Sequence, residues 1–414
     1  MNGTIRLMAP LVAALAVAAC SGGSQGVPTA GASQTQASIA AIARHIPQWK
    51  VMNQAHEACP QVYAQPTCLA LTARSTGPSP LVAGLAPADL EAAYKLPITQ
   101  GSGQIVAIVD AYDNPNIASD LAAYRTQFNL GTANFTKYNQ NGDTSGFPSG
   151  STGWGTEEDL DVDMVSAACP KCTIYLIEAN GADTTDLETA EDTAVNKLGA
   201  KVVSNSWICY GDDFCGDNNF YSHFSSSGVV YLAASGDLGY DANGAPEAGS
   251  SVVSIGGTQL VKSGSGYSES VWSGAGGGCS NNGSGTGITK PTWQTDPSCT
   301  YRTDSDVSSE AGCSPGVAEY DTYGNGGWIV ECGTSAASPL NAAVFALAGN
   351  QSSVNAGEHF WQLHRHPRLR ALHNIKVGND GSCGGSYLCT AGTHQFHTYA
   401  GPIGWGSPKG DKAY

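Results

Sequence analysis

The sequence predicts an α/β protein with a doubly wound, mostly parallel sheet and flanking helices. Short apolar runs alternate with helical stretches from about residue 101 onward. Such alternation of fully apolar strands with helices is typical of a parallel sheet that is covered on both faces. The predicted strands lie at 104–111, 173–178, 201–206, 229–234 and 251–255. The predicted helices lie at 117–128, 157–168 and 183–198.

The charge balance excludes one class of partner, and the cysteines indicate a compartment. The 414 residues include 19 Lys and Arg against 35 Asp and Glu, a formal net charge of −16. Nucleic-acid binding depends on basic side chains at the phosphates, so we expect no nucleic-acid partner. The 13 cysteines lack the spacing of a zinc site and indicate an oxidising compartment. We expect a monomer.

The N-terminus has the form of a bacterial lipoprotein signal. Arg6 precedes an apolar stretch at 7–19 that is too short to span a bilayer. The stretch ends in Val-Ala-Ala-Cys20, which resembles a lipobox, although an ordinary signal peptide also fits. We therefore expect residues 1–19 to be removed, Cys20 to carry a lipid that reaches the membrane, and 20–37 to form a flexible tether. The protein would be extracytoplasmic, either anchored to the cell envelope or secreted.

Most of the other cysteines lie close together in pairs. Without Cys20, 12 of the 13 cysteines remain, which is enough for six disulfides. We expect Cys59 and Cys68 to be bridged. Cys169 and Cys172 end a predicted helix, and thiolate activation favours a helix N-terminus, so we interpret this pair as a structural staple. Residues 260–330 are rich in Gly and Ser and are predicted to be loops in a disulfide-stapled C-terminal part.

A serine precedes a predicted helix. Gly333-Thr334-Ser335 stands before the helical run 340–349, so the Ser335 hydroxyl would lie at a helix N-terminus, where N–H groups stabilise an oxyanion. Taken alone, the motif is equally an ordinary turn and helix cap. A serine nucleophile needs a base, and no histidine before Ser335 lies in a motif that would supply one.

Acidic residues offer a base instead. Thr156 is predicted to cap a helix, which puts Glu157 and Asp161 four residues apart on one face, where they can share a proton. The alternative is an acidic first turn that complements the helix dipole. Asp237 follows the predicted strand 229–234, at the sheet edge where catalytic groups collect, although a lone Asp there is also a common turn former.

The order of these motifs resembles that of the sedolisins, the serine-carboxyl peptidases. The motifs are Glu157-x-x-x-Asp161, Ser235-Gly236-Asp237 and Gly333-Thr334-Ser335. Further similar segments begin at Leu85, Ile105, Val202 and Trp272. The resemblance covers residues 85–410. It implies a subtilisin-like fold and an endopeptidase that cuts protein or peptide substrates at acid pH. It also implies a peptidase domain at 85–414 after a short pro-region at 38–84.

The resemblance implies a role for each matched residue. Ser335 corresponds to the nucleophile, Glu157 to the base, and Asp161 to the residue that orients the base. Asp237 corresponds to the acid of the oxyanion hole. Asp110 and Trp207 are expected beside the Glu–Asp pair. Four glycines are expected to line the substrate cleft, where backbone approaches backbone closely: Gly274, Gly276, Gly277 and Gly278.

These residue types suit acid conditions. An unperturbed carboxyl group has a pKa near ~4, well below that of histidine, so a carboxylate base remains ionised in acid. Asp237 can donate a hydrogen bond to an oxyanion only while it is protonated.

The resemblance also implies a calcium ion near the C-terminus, but the residues there argue against it. Asn374, followed by Ile375, and Ala400 stand where the family has carboxylate ligands, and calcium affinity depends on carboxylate count. We therefore expect no required cofactor. A non-catalytic surface lipoprotein that keeps the fold for binding is the alternative function, and a histidine enzyme of the subtilisin type is a third.

We predict that the mature protein carries a lipid on Cys20. Mass spectrometry of membrane-extracted protein should show a modified N-terminal Cys20, because a lipobox cysteine becomes the first residue after cleavage. The Cys20→Ser variant should lose the modification and leave the membrane fraction. An unmodified N-terminus downstream of Cys20, in the soluble fraction, would contradict the anchor.

Overall fold

The computed structural model describes most of the chain after residue 54. The described residues are 55–62, 64–73, 82–210, 215, 218–280, 288–363, 366–392 and 398–414. The predicted signal peptide, Cys20 and the tether lie outside these ranges.

Within these ranges the strands fall into one large sheet and several small ones. They are β1 (His56–Glu57), β2 (Thr67–Cys68), β3 (Leu71–Ala73), β4 (Ile105–Ala111), β5 (Asn134–Asn139), β6 (Thr173–Ala179), β7 (Val202–Asn205), β8 (Trp207–Tyr210), β9 (Val230–Ala234), β10 (Gly244–Ala245), β11 (Val252–Ser263), β12 (Gly266–Val271), β13 (Gly278–Cys279), β14 (Thr303–Asp304), β15 (Val307–Glu310), β16 (Val317–Asp321), β17 (Gly327–Cys332), β18 (Leu372–His373) and β19 (Ser407–Pro408).

Helices cover both faces of the large sheet. They are α1 (Pro87–Tyr94), α2 (Ile117–Gln127), α3 (Thr152–Ala168), α4 (Thr184–Asp192), α5 (Asn218–Ser222), α6 (Thr334–Ala348) and α7 (Glu358–Leu363). A π-helical turn, Thr193–Lys197, continues α4.

The large sheet is mostly parallel, as the sequence predicts. Its strand order is β12-β11-β9-β7-β4-β6-β5, with β15 also beside β11. Each neighbouring pair runs parallel except the β11–β12 hairpin. The five predicted strands are confirmed as β4, β6, β7, β9 and β11, and β5 was not predicted. β5 reads NFTKYN and is half-exposed at the sheet edge, so it lacks the apolar run of a central strand.

The expectation that 260–330 forms loops is wrong for much of that region. It contains the end of β11 and the strands β12 to β17. β12 alternates partly buried and exposed residues along a polar sequence, GYSESV, and β16 pairs with β17 as an antiparallel hairpin. Antiparallel strands need one buried face only, so Gly- and Ser-rich stretches without a continuous apolar run form them.

The predicted start of α3 is also wrong. The helix begins at Thr152, with Ser151 at the N-cap, and not at a Thr156 cap. The Thr156 hydroxyl lies 3.1 Å from the Thr152 carbonyl oxygen and 2.7 Å from Asp321 Oδ2. The Thr156 hydroxyl therefore bonds to groups beside the helix interior and does not cap the N-terminus of α3. The face shared by Glu157 and Asp161 is unaffected, because both remain helical.

Two apolar layers enclose the sheet, and the larger one joins α3 to α6. Residues of both helices, such as Leu160, Val165, Leu340 and Val344, belong to one buried cluster with strand residues such as Ile108. α3 packs directly against α6. This packing brings the helix that carries Glu157 against the helix that carries Ser335.

The N-terminal segment, defined here as residues 55–62 and 64–73, lies on the body of the protein. β2 pairs antiparallel with β8, and β3 pairs antiparallel with β17. β1 folds back on β3. Part of the expected pro-region therefore contributes strands to two sheets.

Six disulfides staple the described chain. They join Cys59–Cys68, Cys169–Cys172, Cys209–Cys215, Cys279–Cys299, Cys313–Cys332 and Cys383–Cys389. The expected pairing of Cys59 with Cys68 is confirmed, and Cys169 and Cys172 form a buried disulfide whose structural role stays a prediction. This number of disulfides indicates an oxidising, extracytoplasmic compartment. No helix of the described ranges combines the length and apolar character needed to cross a bilayer.

Candidate active site

Ser335 lies in the first turn of α6 and is fully buried. Gly333 is the N-cap residue and has a φ of 112°, a backbone conformation that favours glycine. A methyl group built on Gly333 would lie 2.6 Å from Asp237 Oδ2 and 2.6 Å from the Leu69 carbonyl oxygen. The two oxygens therefore approach the same side of the Ser335 turn, and glycine leaves the space for them.

Ser206 ties the two helices of the site together. Its hydroxyl lies 2.7 Å from Asp161 Oδ1 and 3.4 Å from the Ser335 carbonyl oxygen. That carbonyl has no helical N–H partner at position i+4, because Pro339 stands there and lacks an amide hydrogen. The Ser206 carbonyl oxygen in turn accepts from the Ser335 hydroxyl at 3.3 Å.

Glu157 and Asp161 lie side by side on α3, facing Ser335, and both are fully buried. The side chains of Ser335 and Asp161 lie next to the Glu157 carboxyl group. Burial raises the pKa of both carboxyl groups well above the ordinary value, and the neighbouring Asp110 carboxylate raises them further. The Ser335 side chain acts in the opposite direction on the pKa of Glu157. The structure thus brings together the predicted base, its partner and the predicted nucleophile.

Asp110 and Trp207 lie next to this pair, where the sequence places them. Asp110 is near the carboxyl end of β4, and burial raises its pKa to about 8. Neither of its carboxylate oxygens has a hydrogen-bond partner among the described residues. The Trp207 indole donates to the Val109 carbonyl oxygen at 3.0 Å, which fixes the indole against the strand that carries Asp110.

Asp237 approaches the same turn from the loop after β9. Its Oδ1 accepts hydrogen bonds from the Thr334 amide and the Thr334 hydroxyl, both at 2.8 Å. The Asp237 amide donates to the Tyr210 hydroxyl at 3.2 Å. One carboxylate oxygen is therefore held by the residue before Ser335, while the other faces the side from which the Leu69 carbonyl approaches.

The four glycines expected in the substrate cleft pack against the loop that carries Asp237. The Gly276 amide donates to the Gly236 carbonyl at 2.7 Å, and a methyl group on Gly276 would lie 1.9 Å from the Ser235 carbonyl oxygen. The Gly274 and Gly277 carbonyls accept from Gly239 and Asp241, and Gly278 contacts the Tyr240 ring. Backbone approaches backbone closely, as expected, but the partner is the 235–241 loop. A direct contact of these glycines with substrate stays a prediction.

The N-terminal segment crosses this site. The Leu69 and Ala70 amides donate to Glu157 Oε2 at 2.7 and 2.6 Å. The Leu69 amide also lies 3.2 Å from the Ser206 carbonyl oxygen, which the Ser335 hydroxyl shares. The backbone of this segment therefore contacts the predicted base and lies against the predicted nucleophile.

The expected C-terminal calcium position is apolar. Ile375 and Ala400 are buried in a cluster with Val271, Ala391 and Ile403, an environment that does not suit a hard cation. Elsewhere in the described ranges, one carboxylate trio has the spacing of metal ligands, with oxygens within 4.8 Å of one another: Asp120, Asp159 and Asp321. Thr322, Asn114 and Thr156 already supply hydrogen bonds to these carboxylates.

Three of the described histidines bond to groups other than Ser335. His223 pairs with Asp192 at 2.9 Å, and His359 and His373 bond to the carbonyls of Ala413 and Ala93. None of these contacts supports a histidine base.

Sequence reasoning missed several residues of the site. Ser206 directly follows β7, in the segment that begins at Val202. A polar residue at the carboxyl end of a parallel strand is a signal that could have identified it. The sequence identifies Thr334 only as part of the Gly333-Thr334-Ser335 motif and gives no sign of its hydrogen bonds to Asp237. Leu69 and Ala70 carry no chemical signature, so their position depends on strand pairing that the sequence does not display.

Comparison with solved structures supports the fold. The structure superposes on Pseudomonas sedolisin, a serine-carboxyl proteinase complexed with pseudo-iodotyrostatin, with a TM-score of 0.67 and 24% identity, over 80% of this chain and 96% of that one. It also matches a lanthipeptide protease (TM-score 0.46, 15% identity, 79% and 92% covered) and sphericase (0.47, 16%, 78% and 97%). No protein-family model and no curated protein matches the sequence. The fold is the subtilisin-like fold of sedolisin.

We predict that the folded state is more stable in acid than at neutral pH. Burial raises the pKa of many carboxyl groups, among them Asp110, Glu158, Asp159, Asp163, Glu319 and Glu331. The folded chain then binds more protons than the unfolded chain above pH ~4, so stability falls as pH rises toward these folded-state pKa values. The melting temperature of the purified protein should fall by about 5 °C or more between pH 4 and pH 8.

The Glu319→Gln variant is the matched control, because it replaces a buried carboxyl group by a neutral amide. Its melting temperature should depend less on pH than that of the parent. A melting temperature that stays constant or rises over the same range would contradict the prediction.

Proposed function

We propose that this chain is a serine-carboxyl endopeptidase that hydrolyses peptide bonds through an acyl-enzyme on Ser335. The observation that carries the proposal is the connected arrangement of Ser335, Glu157 and Asp161, with Asp237 bonded to the residue before the serine. A buried serine beside a carboxyl group that can accept its proton is the arrangement of an activated nucleophile. The subtilisin-like fold supports the proposal.

In the proposed reaction, Glu157 accepts the proton of the Ser335 hydroxyl as Oγ attacks the substrate carbonyl. Asp161 holds Glu157 through their hydrogen bond and shares the proton. Glu157 then gives the proton to the leaving amine, and a water molecule repeats the sequence to release the acyl group. No step requires a metal ion or other cofactor.

Asp237 stabilises the developing negative charge in this proposal. Thr334 holds its Oδ1, which leaves the other oxygen to carry a proton toward the substrate carbonyl. A neutral carboxylic acid is a strong donor to an oxyanion in a site without water. This role requires acid pH, which also suits a carboxylate base.

The N-terminal segment gives the protein a latent form. Its backbone amides at Leu69 and Ala70 hold Glu157 and occupy the cleft. We therefore assign it to the pro-region, within the proposed boundaries 38–84. The uncleaved chain is proposed to be a monomer outside the cytoplasm, held at the cell envelope by a lipid on Cys20.

The alternative is a non-catalytic lipoprotein that keeps the fold for binding. The apolar surroundings of Ile375 and Ala400 favour it, because a lost ion site is compatible with a lost activity. A purified protein that shows no Ser335-dependent hydrolysis would support this alternative.

We expect Ser335→Ala and Glu157→Gln each to lower kcat/KM at acid pH by ~10⁴-fold or more, because they remove the nucleophile and the base. The assay is hydrolysis of a denatured protein by the purified chain, with circular dichroism as the check on folding. The matched control is Ser338→Ala, one turn further along α6, where the hydroxyl bonds to Ser204 at 2.9 Å. Turnover near that of the wild type in either site variant would refute the assignment.

We expect kcat/KM to peak well below pH 7. The rate should fall on the acid side as Glu157 becomes protonated, at a higher pH than for an ordinary carboxyl group because burial raises the pKa of Glu157, and fall toward neutral pH as Asp237 loses its proton. The measurement is the pH–rate profile with a peptide that has no ionisable side chain. A maximum near pH 8 would instead indicate a histidine base.

A further inference from the structure

The N-terminal segment crosses the cleft between two short strand pairings. Before the site, Thr67 and Cys68 pair antiparallel with Ile208 and Trp207 of β8. After the site, β3 pairs antiparallel with residues 330–332 of β17. The segment is thus held by backbone hydrogen bonds on both sides of Ser335, which is how a protein binds an extended peptide by adding a strand.

The side chain between these two pairings occupies an apolar pocket. Leu69 is 1% exposed and belongs to a small buried cluster with Ile208, Tyr210, Ala234 and Leu238. This cluster is separate from the main core and lies beside the Asp237 loop. A large apolar side chain fills it, whereas a charged one would lose its hydration among apolar side chains.

The peptide bond between Leu69 and Ala70 has two polar atoms, the Leu69 carbonyl oxygen and the Ala70 nitrogen. Each lies near a residue to which the proposed reaction assigns a role. The Leu69 carbonyl oxygen approaches the point near Gly333 that Asp237 Oδ2 also approaches. The Ala70 nitrogen lies 2.6 Å from Glu157 Oε2. The Leu69 nitrogen lies 3.2 Å from the Ser206 carbonyl, the same oxygen that the Ser335 hydroxyl contacts. Asp237, the proposed oxyanion donor, and Glu157, the proposed proton carrier, therefore lie at the two polar atoms of this bond, and the Ser335 hydroxyl contacts the same carbonyl as the Leu69 amide.

We propose that Leu69–Ala70 is the bond that this chain cuts in its own cleft, and that the Leu69 pocket selects substrates with a large apolar residue before the cleaved bond. This inference rests on the peptidase function proposed above. It adds to that function the processing site and the substrate class.

The chemistry balances with water as the co-reactant. Ser335 Oγ forms a bond to the Leu69 carbonyl carbon while its proton moves to Glu157. The bond from that carbon to the Ala70 nitrogen breaks, and Glu157 donates the proton to the departing amine. Water then attacks the Leu69 ester, one of its protons passes through Glu157 to Ser335 Oγ, and a Leu69 carboxyl group and an Ala70 amine remain.

The disulfide network fits a cut at this bond. Cys59–Cys68 closes a loop entirely on the N-terminal side, and β1 of that side pairs with β3 of the other side. The two products therefore stay paired after cleavage until the strands separate. β3, which is the part of the pro-region just after this bond, stays joined to the peptidase domain and keeps its pairing with β17.

The first test follows the full chain itself. Wild-type protein brought from neutral to acid pH should yield a new N-terminus at Ala70, detected by N-terminal sequencing and intact mass. The rate should not depend on protein concentration, because the cut is intramolecular. Ser335→Ala should stay intact. Leu69→Met should still be cut at this bond, and Leu69→Lys should be cut on the order of 100-fold more slowly.

The second test uses two external peptides that differ only in having Leu or Lys before the scissile bond. It does not depend on how the Leu69 variants fold. The processed enzyme should prefer the Leu peptide by on the order of 100-fold in kcat/KM, with Ser335→Ala as the blank.

The outcomes separate this inference from the proposed function. Ser335-dependent hydrolysis of protein at acid pH, together with a different new N-terminus, would overturn the inference and leave the peptidase in place. A cleavage rate proportional to protein concentration, or equal use of the two peptides, would also overturn it. The absence of any Ser335-dependent hydrolysis would remove both.

Discussion

The direct packing of α3 on α6 is the constraint on which the site depends. It places Glu157 and Asp161 opposite the first turn of α6, so that a pair of carboxyl groups and a serine are buried between the two helices. Ser206 closes the arrangement, because it bonds to Asp161 on one helix and to Ser335 on the other. Moving either helix would break these bonds and expose buried carboxyl groups.

Local sequence spacing predicts the parts of the site that lie within one element. Glu157 and Asp161 share a helix face whatever the helix start, which is why the wrong cap at Thr156 does no harm to the site prediction. Asp237 follows a continuous apolar strand, and Ser335 follows a glycine whose positive φ marks a tight turn. The parallel sheet is predictable for the same reason, since its central strands are apolar along their whole length.

Contacts between distant segments are not predictable in this way. Leu69 reaches Glu157 across 88 residues of sequence, through a β2–β8 pairing of two residues. Neither strand has an amphipathic or apolar pattern long enough to reveal it. The antiparallel strands in 260–330 escape detection for a related reason, because their Gly and Ser residues are typical of loops and only their partners make them strands.

The hydrogen bonds to Glu157 show how, under the proposed function, the N-terminal segment can both block the site and resemble a substrate. Among the described residues, no Lys, Arg or His forms an ion pair with Glu157 or Asp161. The base therefore depends on dipoles: the Ser335 hydroxyl and the two backbone amides at Leu69 and Ala70. Every peptide has backbone amides, and in the proposed function those of a substrate would take the place of the amides of the N-terminal segment. Since these amides are common to all peptides, selection among them has to come from the side chain that enters the pocket of Ile208, Tyr210, Ala234 and Leu238.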